Sequence, residues 1–380
     1  MLAQFGNDLI STIVWFLFLI IFVLFGPRLM VQQAILKLER EAVELEGIAE
    51  RSMNYIIKSI SKKGSKKIRE AVKNFMEFFI ITPVDTDPFG VMKKLDHVIR
   101  NSDERFKYFV KQIIPQASKE RQKNIKNALG GAITTYQIAK IVRHYLELIK
   151  KYKLFQLAVV LQMQIPLIAR MAKASQKATE AFTDGIPVGD GIGSLVAASF
   201  LKGKVKKFEE EEFVVSQVSI DGRKIWVAKA DGPGASTGYP GKFLTKFLKK
   251  NKINRIITVD AKVKLEGEKT GSVAEGVGVA MGGVGVDRYE IEEIAVKKKI
   301  PLDAIAIKMS DEEALMPMSK EVFNSLPKAV EAIKKAIKRA KKNEKILLIG
   351  VGNTCGIKNS WESVEEVKKI VKRYAEKKEK

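Results

Sequence analysis

The feature that most constrains this chain is an unbroken apolar run, LISTIVWFLFLIIFVLF, at residues 9–25. With Gly26, Pro27 and the flanking residues, the run reaches the roughly 20 residues that an α-helix needs to cross a bilayer. A secretory signal peptide would place basic residues before the run and a small-residue cleavage site after it. The one charged residue before the run is Asp8, and the chain continues Pro-Arg-Leu-Met after it. The run therefore predicts a retained transmembrane anchor within residues 1–30.

The basic residues that follow the run predict its orientation. They are Arg28, Lys37, Arg40, Arg51 and Lys58. Because the cytoplasmic flanks of membrane helices are enriched in Lys and Arg, we expect the body of the chain in the cytoplasm and the amino terminus outside. The chain is thus predicted to be a single-pass protein of the cell membrane, with the lipid bilayer as a partner.

A second apolar stretch, residues 154–168, is shorter and is interrupted by polar residues and a proline. The interruptions are Gln156, Gln162, Gln164 and Pro166. Since the stretch falls short of a bilayer crossing, it predicts a buried core helix rather than a second span.

The charge balance is strongly basic, with 67 Lys and Arg against 44 Asp and Glu and a net charge of +23. Such a surplus favours anionic partners such as acidic lipid. A solvated surface rich in Lys and Glu is the alternative explanation. The lysines are spread along the chain without a nucleic-acid-binding motif, so no nucleic-acid partner is expected. The single cysteine, Cys355, excludes an intramolecular disulfide and a cysteine zinc cluster.

Residues 31–60 are predicted to form a long helix that leaves the membrane. Apolar residues alternate at spacings of four and three, as in a coiled coil. They are Val31, Ile35, Leu38, Ala42, Leu45 and Ala49. This seam either pairs copies of the chain into a homo-oligomer or packs on the body of the same chain, and the pattern leaves both open.

The rest of an all-helical middle region is predicted to extend to about residue 200. Periodic apolar residues predict helices over 66–81, 88–100, 103–113, 119–150 and 154–181. Asp87 and Pro88 suit the N-cap and first position of the second of these. His97 and His144 lie in the helices without a second ligand at metal spacing, so no metal site is predicted. Residues 202–212 are charged and resemble a linker.

Residues 201–380 predict a C-terminal α/β domain. Asp221-Gly222 between the apolar segments 213–220 and 224–230 predicts a β-hairpin. Buried-type strands at 253–259, 302–309 and 345–350 alternate with amphipathic helices. Such alternation predicts a mostly parallel sheet between two helical layers, with the hairpin adding antiparallel strands.

Helix-start signals punctuate this domain. Capping boxes are predicted at Asp287/Glu290 and Ser310/Glu313. Ser319 and Pro327 are predicted to begin two further helices, and a last helix is predicted over 361–378. The chain thus divides into an anchor (1–30), a helical domain (31–200) and the α/β domain (201–380).

Ligands of parallel sheets bind beyond the carboxyl ends of the strands. A glycine-rich loop, DGPGASTGYPG at 231–241, also precedes a helix N-terminus, where free amides favour an anion. These features predict a site for a small anionic ligand or nucleotide. The candidate ligand-binding residues are Gly232, Gly234, Ser236, Thr237, Asp260, Glu266, Thr270 and Asn353. No loop matches a specific phosphate motif, so a purely structural turn is the alternative.

An enzyme is a second hypothesis. The α/β domain contains no histidine, so a lysine, Lys308 or Lys269, would have to act as the base. The candidate nucleophiles are Ser236, Thr237, Thr354 and Cys355. Four carboxylates could hold Mg²⁺ if their loops converged, namely Asp231, Asp260, Glu266 and Glu275. A third hypothesis is a structural oligomer without a polar pocket. No reaction or cofactor follows from the sequence.

Four strings resemble a known family. They are PVGDGIG (187–193), ITVDAKVKLEGEKTGSVAEGVGVAMGG (257–283), PLDAIAIKMS (301–310) and IGVGNTCGI (349–357). The chain resembles, over nearly its whole length, an archaeal family of membrane-anchored proteins catalogued only as a domain of unknown function. The resemblance implies an archaeal membrane protein and carries no activity, cofactor or catalytic residue with it.

Overall fold

The computed structural model describes residues 2–61, 66–78, 91–282 and 285–378. Five long helices come first: α1 (Leu2–Ile60), α2 (Lys66–Phe78), α3 (Val91–Ile113), α4 (Lys119–Tyr152) and α5 (Phe155–Asp184). The later helices are α6 (Ile192–Ala198), α7 (Pro240–Lys250), α8 (Val286–Lys298), α9 (Asp311–Leu315), α10 (Lys320–Phe323), α11 (Leu326–Arg339) and α12 (Ser363–Lys378). A short 3-10 turn, Gly189–Gly191, precedes α6.

The helical predictions are confirmed in outline. The segments predicted at 88–100 and 103–113 form one helix, α3, because no breaker separates them. Asp87 and Pro88, the proposed start of the first segment, lie outside the described residues. The chain divides into two compact units that do not coincide with the three predicted domains. Unit 1 comprises Met1–Glu50 and Thr134–Lys173, and unit 2 comprises Arg51–Ile133 and Ala174–Lys380.

Unit 1 contains the heptad-like seam of α1. Leu38, Ala42 and Leu45 are fully or almost fully buried, in one cluster with Val142 and Leu146 of α4 and residues of α5. The apolar spacing therefore serves packing on the same chain, which is the second of the two alternatives left open by the pattern.

Ion pairs between α1 and α4 fix the direction of this packing. Arg143 pairs with Glu46 at 2.8 Å, and Lys150 pairs with Glu39. Because residue numbers rise along one helix as they fall along the other, α1 and α4 are antiparallel in unit 1.

The prediction that residues 154–168 form a buried core helix is wrong in part, because only one side of this helix is buried. Ala158, Leu161 and Ile165 pack into the core of unit 1, but Val160 is 55% exposed and Met163 is 74% exposed. By length and composition α5 could cross a membrane, and 22% of its apolar window is buried. The core helices of soluble proteins can be equally long and apolar, but they are mostly buried. Most of the apolar window of α5 is exposed.

The described part of unit 2 contains a seven-stranded sheet in the order β1-β2-β3-β7-β4-β6-β5. The strands are β1 (Lys206–Phe208), β2 (Phe213–Ile220), β3 (Arg223–Ala230), β4 (Arg255–Val263), β5 (Val273–Val277), β6 (Leu302–Met309) and β7 (Ile346–Gly350). Strands β3, β7, β4 and β6 are mutually parallel, whereas β1, β2 and β5 add antiparallel pairs at the two edges.

The sheet is thus mixed rather than mostly parallel. Strand β5 was not predicted, because its partly exposed residues form no apolar run. Strand β1 lies inside the predicted linker. Strand β4 continues past Asp260 to Val263, so Asp260 is a residue of the strand rather than its end.

Helices cover both faces of the sheet. On one face Leu195 of α6, Ile333 of α11 and Val367 of α12 share a core with the strands. On the other face Phe243 of α7 and Ile291 of α8 do the same. The prediction of helices on both faces is confirmed, and α6 belongs to this body although it precedes residue 201.

The predicted hairpin turn is confirmed at Asp221-Gly222. Both residues have positive φ, 47° and 74°, as the tight turn between right-twisted strands requires. The strands pair in the register Ile220 with Arg223.

Replacing Gly222 by alanine should therefore lower the free energy of unfolding by about 1 kcal/mol. A Cβ on Gly222 would meet no atom within 4 Å, so the cost comes from backbone conformation alone. Gly276→Ala is the matched control, since that glycine is equally open and has no positive φ. Urea unfolding followed by circular dichroism measures both, and equal stabilities of the two variants would contradict the turn assignment.

Candidate functional site

The carboxyl ends of β4 and β7 form a topological switch point. The chain leaving β4 first forms the edge strand β5 and then α8 on one face of the sheet, and the chain leaving β7 leads to α12 on the other. Because the connections that follow the two strands lead to opposite faces of the sheet, a crevice opens beyond the strand ends.

A cavity of about 370 Å³ occupies this position. It is lined by Asp96, Ile99, Arg100, Asp103, Asp190, Thr237, Gly238, Tyr239, Pro240, Asp260, Met281, Gly282, Gly285, Val286, Asp287, Arg288, Val351 and Gly352. A second cavity of about 310 Å³ shares five of these residues, namely Ile99, Asp103, Thr237, Gly238 and Tyr239. We call the two cavities together the cleft.

The cleft contains two neighbouring carboxylates, the half-buried Asp190 and the buried Asp260. Asp260 is 2% exposed; its Oδ1 accepts a hydrogen bond from the amide of Ala261 at 2.8 Å, and its Oδ2 accepts one from Gly282 at 3.0 Å. Oδ2 of Asp190 accepts a hydrogen bond from the amide of Asn353 at 2.9 Å. Among the described residues no lysine or arginine forms an ion pair with either aspartate.

Both aspartates have a raised pKa. Burial raises the pKa of Asp190, and the hydrogen bond from Asn353 opposes it only in part. Burial also raises the pKa of Asp260 well above its usual value, and the neighbouring charge of Asp190 raises it further. A like charge disfavours ionisation of its neighbour, so the pair holds its protons more tightly than isolated aspartates do.

Two glycines allow the backbone around Asp190 to lie close to the ends of β4 and β7. A Cβ on Gly193, in the first turn of α6, would lie 2.4 Å from the carbonyl oxygen of Val259 and 3.0 Å from Cα of Asp260. A Cβ on Gly352 would lie 1.9 Å from the carbonyl oxygen of Asp190. Only glycine fits at either position, so Gly193, the last glycine of the string GDGIG, is explained by the packing of α6 on the strand ends.

A third carboxylate occupies the N-terminus of α7. Oδ1 of Asp287 accepts a hydrogen bond from the amide of Gly241 at 3.1 Å, and burial raises the pKa of Asp287. Asp287 therefore does not cap its own helix: Gly285 is the N-cap of α8, and the predicted Asp287/Glu290 capping box is wrong. The Ser310/Glu313 box is confirmed in both of its hydrogen bonds.

The polar groups of the loop 231–241 mostly form hydrogen bonds within the protein. The amides of Gly232, Ala235 and Gly238 donate to Asn359, Asn124 and Ser236. Gly234 packs against Lys123, and the hydroxyl of Ser236 donates to Glu212 at 2.6 Å. Of the loop residues predicted to bind an anion, Thr237 alone is exposed, and it lines both cavities.

The loop after β7 is also structural. The Thr354 hydroxyl donates to the carbonyl oxygens of Gly234 at 2.8 Å and Ser236 at 3.0 Å, which ties the two loops together. Asn353 is 5% exposed, and its side-chain oxygen accepts from the amide of Cys355. Cys355 is fully buried, and burial raises the pKa of its thiol, so neither Thr354 nor Cys355 is presented to a substrate.

Several predicted site residues lie in the turn at 264–272, outside the cleft. Lys308 pairs with Glu268, Thr270 hydrogen-bonds Glu313, and Lys269 and Glu266 are exposed.

The four candidate Mg²⁺ ligands do not converge. Asp231 bonds Asn359 and Lys207, and Glu275 pairs with Arg339. In the described ranges no group of three or more His, Cys, Asp or Glu side chains is arranged to hold a metal ion.

A dense ion network, which the sequence did not predict, borders the cleft. Asp103 accepts hydrogen bonds from Lys126 at 2.8 Å and from the hydroxyl of Tyr239 at 2.5 Å. Glu212 pairs with Lys107 at 3.2 Å and Lys123 at 3.3 Å. Burial acts to raise the pKa of each carboxyl, but the surrounding lysines lower both to about 2.

Lys229 of β3, which the sequence also did not indicate as a site residue, is fully buried. Its ammonium donates to the carbonyl oxygen of Ala230 at 2.8 Å and to Oδ1 of Asn359 at 2.9 Å. Burial lowers the pKa of Lys229 to about 7, although the charge of Asp231 acts in the opposite direction. Since side chains alternate along a strand, Lys229 lies on the face of Val227, which packs with α12 and not with the cleft.

The larger cavity is acidic overall. Five aspartates line it against two arginines. Both arginines already pair with acids: Arg100 with Asp96 at 2.7 Å and Arg288 with Glu292 at 2.9 Å. The charge that remains is negative, contrary to the anion site that we expected from the glycine-rich loop.

Comparison with known proteins gives two family matches. Residues 12–185 match the model described as "Protein of unknown function (DUF1512) N-terminal domain", and residues 188–358 match "Domain of unknown function (DUF1512) C-terminal". The expected family resemblance is thereby confirmed, while archaeal origin and membrane anchoring remain expectations. No curated protein and no solved structure matches the chain.

Asp190→Asn should stabilise the ligand-free chain above about pH 4. Folding raises the pKa of both paired carboxyls, so wild-type stability falls as pH rises from the unfolded value toward the raised folded values. The amide keeps an acceptor for Asn353 and removes the charge beside Asp260. We expect a gain of about 1 kcal/mol at pH 8 that disappears toward pH 4. Unfolding measured across this range checks it, and a loss of stability at pH 8 would contradict it.

Asp103→Asn should destabilise the chain, in contrast to Asp190→Asn. The pKa of Asp103 is lowered to about 2, so its stabilisation is present above about pH 4 and lost as pH falls toward 2. We expect a loss of about 2 kcal/mol at pH 7, which shrinks on acidification. The same unfolding series measures it, and a pH-independent difference would rule out the charge network as its cause.

The thiol of Cys355 should be inert in the native chain. Thiolate is the reactive form, and burial both excludes reagent and disfavours ionisation. Titration with an aromatic disulfide should show no reaction in buffer and one equivalent in denaturant. Rapid stoichiometric reaction of the folded chain would restore Cys355 as a candidate nucleophile.

Proposed function

The chain belongs to the DUF1512 family, and we propose that it is a membrane-anchored protein that binds a small, positively charged organic ligand in the cleft. The observation that carries the proposal is the carboxylate pair of half-buried Asp190 and buried Asp260, which line the cavity without a partner cation among the described residues. A ligand cation placed between them would supply the missing charge and favour their ionised forms.

The walls of the cavity support an organic cation over a bare metal ion. Apolar side chains alternate with the acids, which suits a ligand with a carbon body: they are Ile99, Met281, Val286 and Val351. A volume of about 370 Å³ lies within the range of small-molecule sites. A divalent ion would find only two neighbouring carboxylates, whereas the carboxylates and Thr237 can accept several hydrogen bonds from an amine or guanidinium group.

An anion or nucleotide is less well supported by the same geometry. The N-terminus of α7, where an anion would gain most, already holds the carboxylate of Asp287. An anionic ligand would also lie beside Asp190 and Asp260 and would supply no positive charge to the pair.

Membrane anchoring through α1 is supported by exposed apolar side chains. Seven consecutive residues, Val14–Ile20, are each 41–70% exposed. An unbroken apolar surface of this kind would be costly in water, and a bilayer removes that cost. By the positive-inside rule, the cleft would then face the cytoplasm.

Acid–base catalysis is the second candidate function. Two neighbouring carboxyls with raised pKa values, one protonated and one ionised, can activate a water and protonate a leaving group. This pair would take the place of the lysine–nucleophile chemistry considered from the sequence, because Cys355 and Thr354 are buried.

Thermal melting of the full-length chain in detergent tests the ligand proposal. The panel comprises aliphatic diamines, guanidinium compounds, Mg²⁺, inorganic phosphate and nucleotides. We expect the melting temperature to rise with at least one amine or guanidinium compound, and the shift to be lost in Asp190→Asn and Asp260→Asn. Glu266→Gln is the matched control, because Glu266 is an exposed acid outside the cleft.

Two outcomes would contradict binding at the aspartate pair. One is a shift with anions alone. The other is a cation shift that survives equally in Asp190→Asn and in the control. If a cationic compound is also turned over, and turnover depends on both aspartates, the enzyme candidate gains support.

A further inference from the structure

The outer surface of the α4–α5 hairpin is apolar in a regular way. On α4, apolar residues at spacings of three and four lie on the side away from the core of unit 1: Ile141, Tyr145 and Tyr152 are exposed, and Leu148 is half-buried. Ile141 is 54% exposed and Tyr152 is 58% exposed. This second stripe lies beside the inward-facing Val142, Leu146 and Ile149, so it is not part of the core.

Helix α5 carries a matching stripe. Phe155, Val159, Met163 and Leu167 recur at every fourth residue and are exposed, and Val160 lies beside them at 55% exposure. The inward face of the same helix is formed by other residues, such as Leu161 and Ile165. The helix is thus apolar on both sides, and its outer side has no partner among the described residues.

Positive charge surrounds these stripes. Between residues 138 and 170 the chain has six Lys or Arg residues and a single acid, Glu147. Arg143 and Lys150 pair with Glu46 and Glu39 of α1, whereas Lys151 and Lys153 are exposed beside Tyr152 at the turn of the hairpin, and Lys151 lies 5.2 Å from the centre of the Tyr152 ring. Apolar and aromatic side chains with a basic rim match an anionic lipid surface.

The direction of packing turns the end of the hairpin toward the apolar run. Arg143 pairs with Glu46, and Lys150, seven residues later, pairs with Glu39. The turn after Tyr152 is therefore directed toward the end of α1 that carries Val14–Ile20. Leu29 and Met30, between that run and the seam, are also exposed at 58% and 52%.

We propose that the outer face of the α4–α5 hairpin is a second membrane contact, which lies in the headgroup region of an anionic bilayer. A second copy of the chain is a poorer occupant, because two such basic surfaces would repel each other. The proposal goes beyond ligand binding and rests on membrane insertion of α1.

Site-specific fluorescence on the full chain tests the proposal. The native Cys355 is buried, so an introduced cysteine can be labelled selectively in the folded protein. An environment-sensitive probe is placed at Met163→Cys. Leu19→Cys reports on the anchor, and Val296→Cys, at a residue of α8 that is 77% exposed, reports on water. Each variant must keep the circular dichroism and melting temperature of the unmodified chain.

The variants are reconstituted in vesicles of phosphatidylglycerol and phosphatidylcholine. We expect blue-shifted emission at residue 163 and quenching by lipids with a nitroxide at the headgroup. The probe at residue 19 should be quenched by nitroxides deeper in the acyl chains, and the probe at residue 296 by neither. Replacing phosphatidylglycerol by phosphatidylcholine should weaken quenching at residue 163.

Other outcomes distinguish a failure of the hairpin contact from a failure of the α1 anchor on which it rests. Quenching at 19 without quenching at 163 would overturn the hairpin contact and leave the anchor intact. A blue shift at 163 that depends on protein density and not on lipid nitroxide would overturn it in favour of a second copy. Absence of quenching at 19 would overturn the anchor itself, and with it the premise of the hairpin contact.

Discussion

The close approach of the first turn of α6 to the ends of β4 and β7 is the contact on which the cleft depends. Val259 leaves no room for a side chain at Gly193, and Asp190 leaves none at Gly352. This contact carries Asp190 to the neighbourhood of Asp260, a residue 70 positions later in the chain. The hydroxyl of Ser194 reinforces it by donating to the carbonyl oxygen of Gly352 at 2.7 Å. A bulkier residue at either glycine would separate the two carboxyls.

The charges around the cleft fall into two groups with different consequences. Asp103 and Glu212 are held ionised by lysines, so they stabilise the association of α3 and α4 with the loops of the sheet. Asp190 and Asp260 lack such partners among the described residues, so their burial costs stability and is a reason to assign them a function. The net charge of +23 gives no hint of this acidic site, because the lysines lie mainly on the surface.

Much of the fold follows from local signals in the sequence. The Asp221-Gly222 turn, the buried strands β6 and β7 and the Ser310 cap are each set by residues within a few positions of one another. Strand β5 was missed because an edge strand with a glycine and exposed residues carries no apolar run. The outward exposure of α5 was missed because an apolar segment has the same composition whether it faces a core or a bilayer.

The site was predicted only in part. Asp260 and Thr237 were identified as candidates because ligands bind at strand ends and glycine-rich loops, and both line the cleft. Asp190 and Asp287 were not, since their positions depend on tertiary contacts with Asn353 and Gly241. Those contacts also changed the expected charge of the ligand, because Asp287 occupies the helix end that was expected to attract an anion.

Proton release on binding tests the central claim most directly. A cation bound between Asp190 and Asp260 lowers their raised pKa values, so the complex must give protons to the buffer. Calorimetric titration of an amine that shifts the melting temperature, repeated in buffers with different ionisation enthalpies, measures this release. We expect the wild-type chain to release protons at pH values above the ordinary pKa of aspartate, and Asp190→Asn to release markedly fewer. Binding of the same affinity without any proton release would contradict the assignment of the cation to this pair.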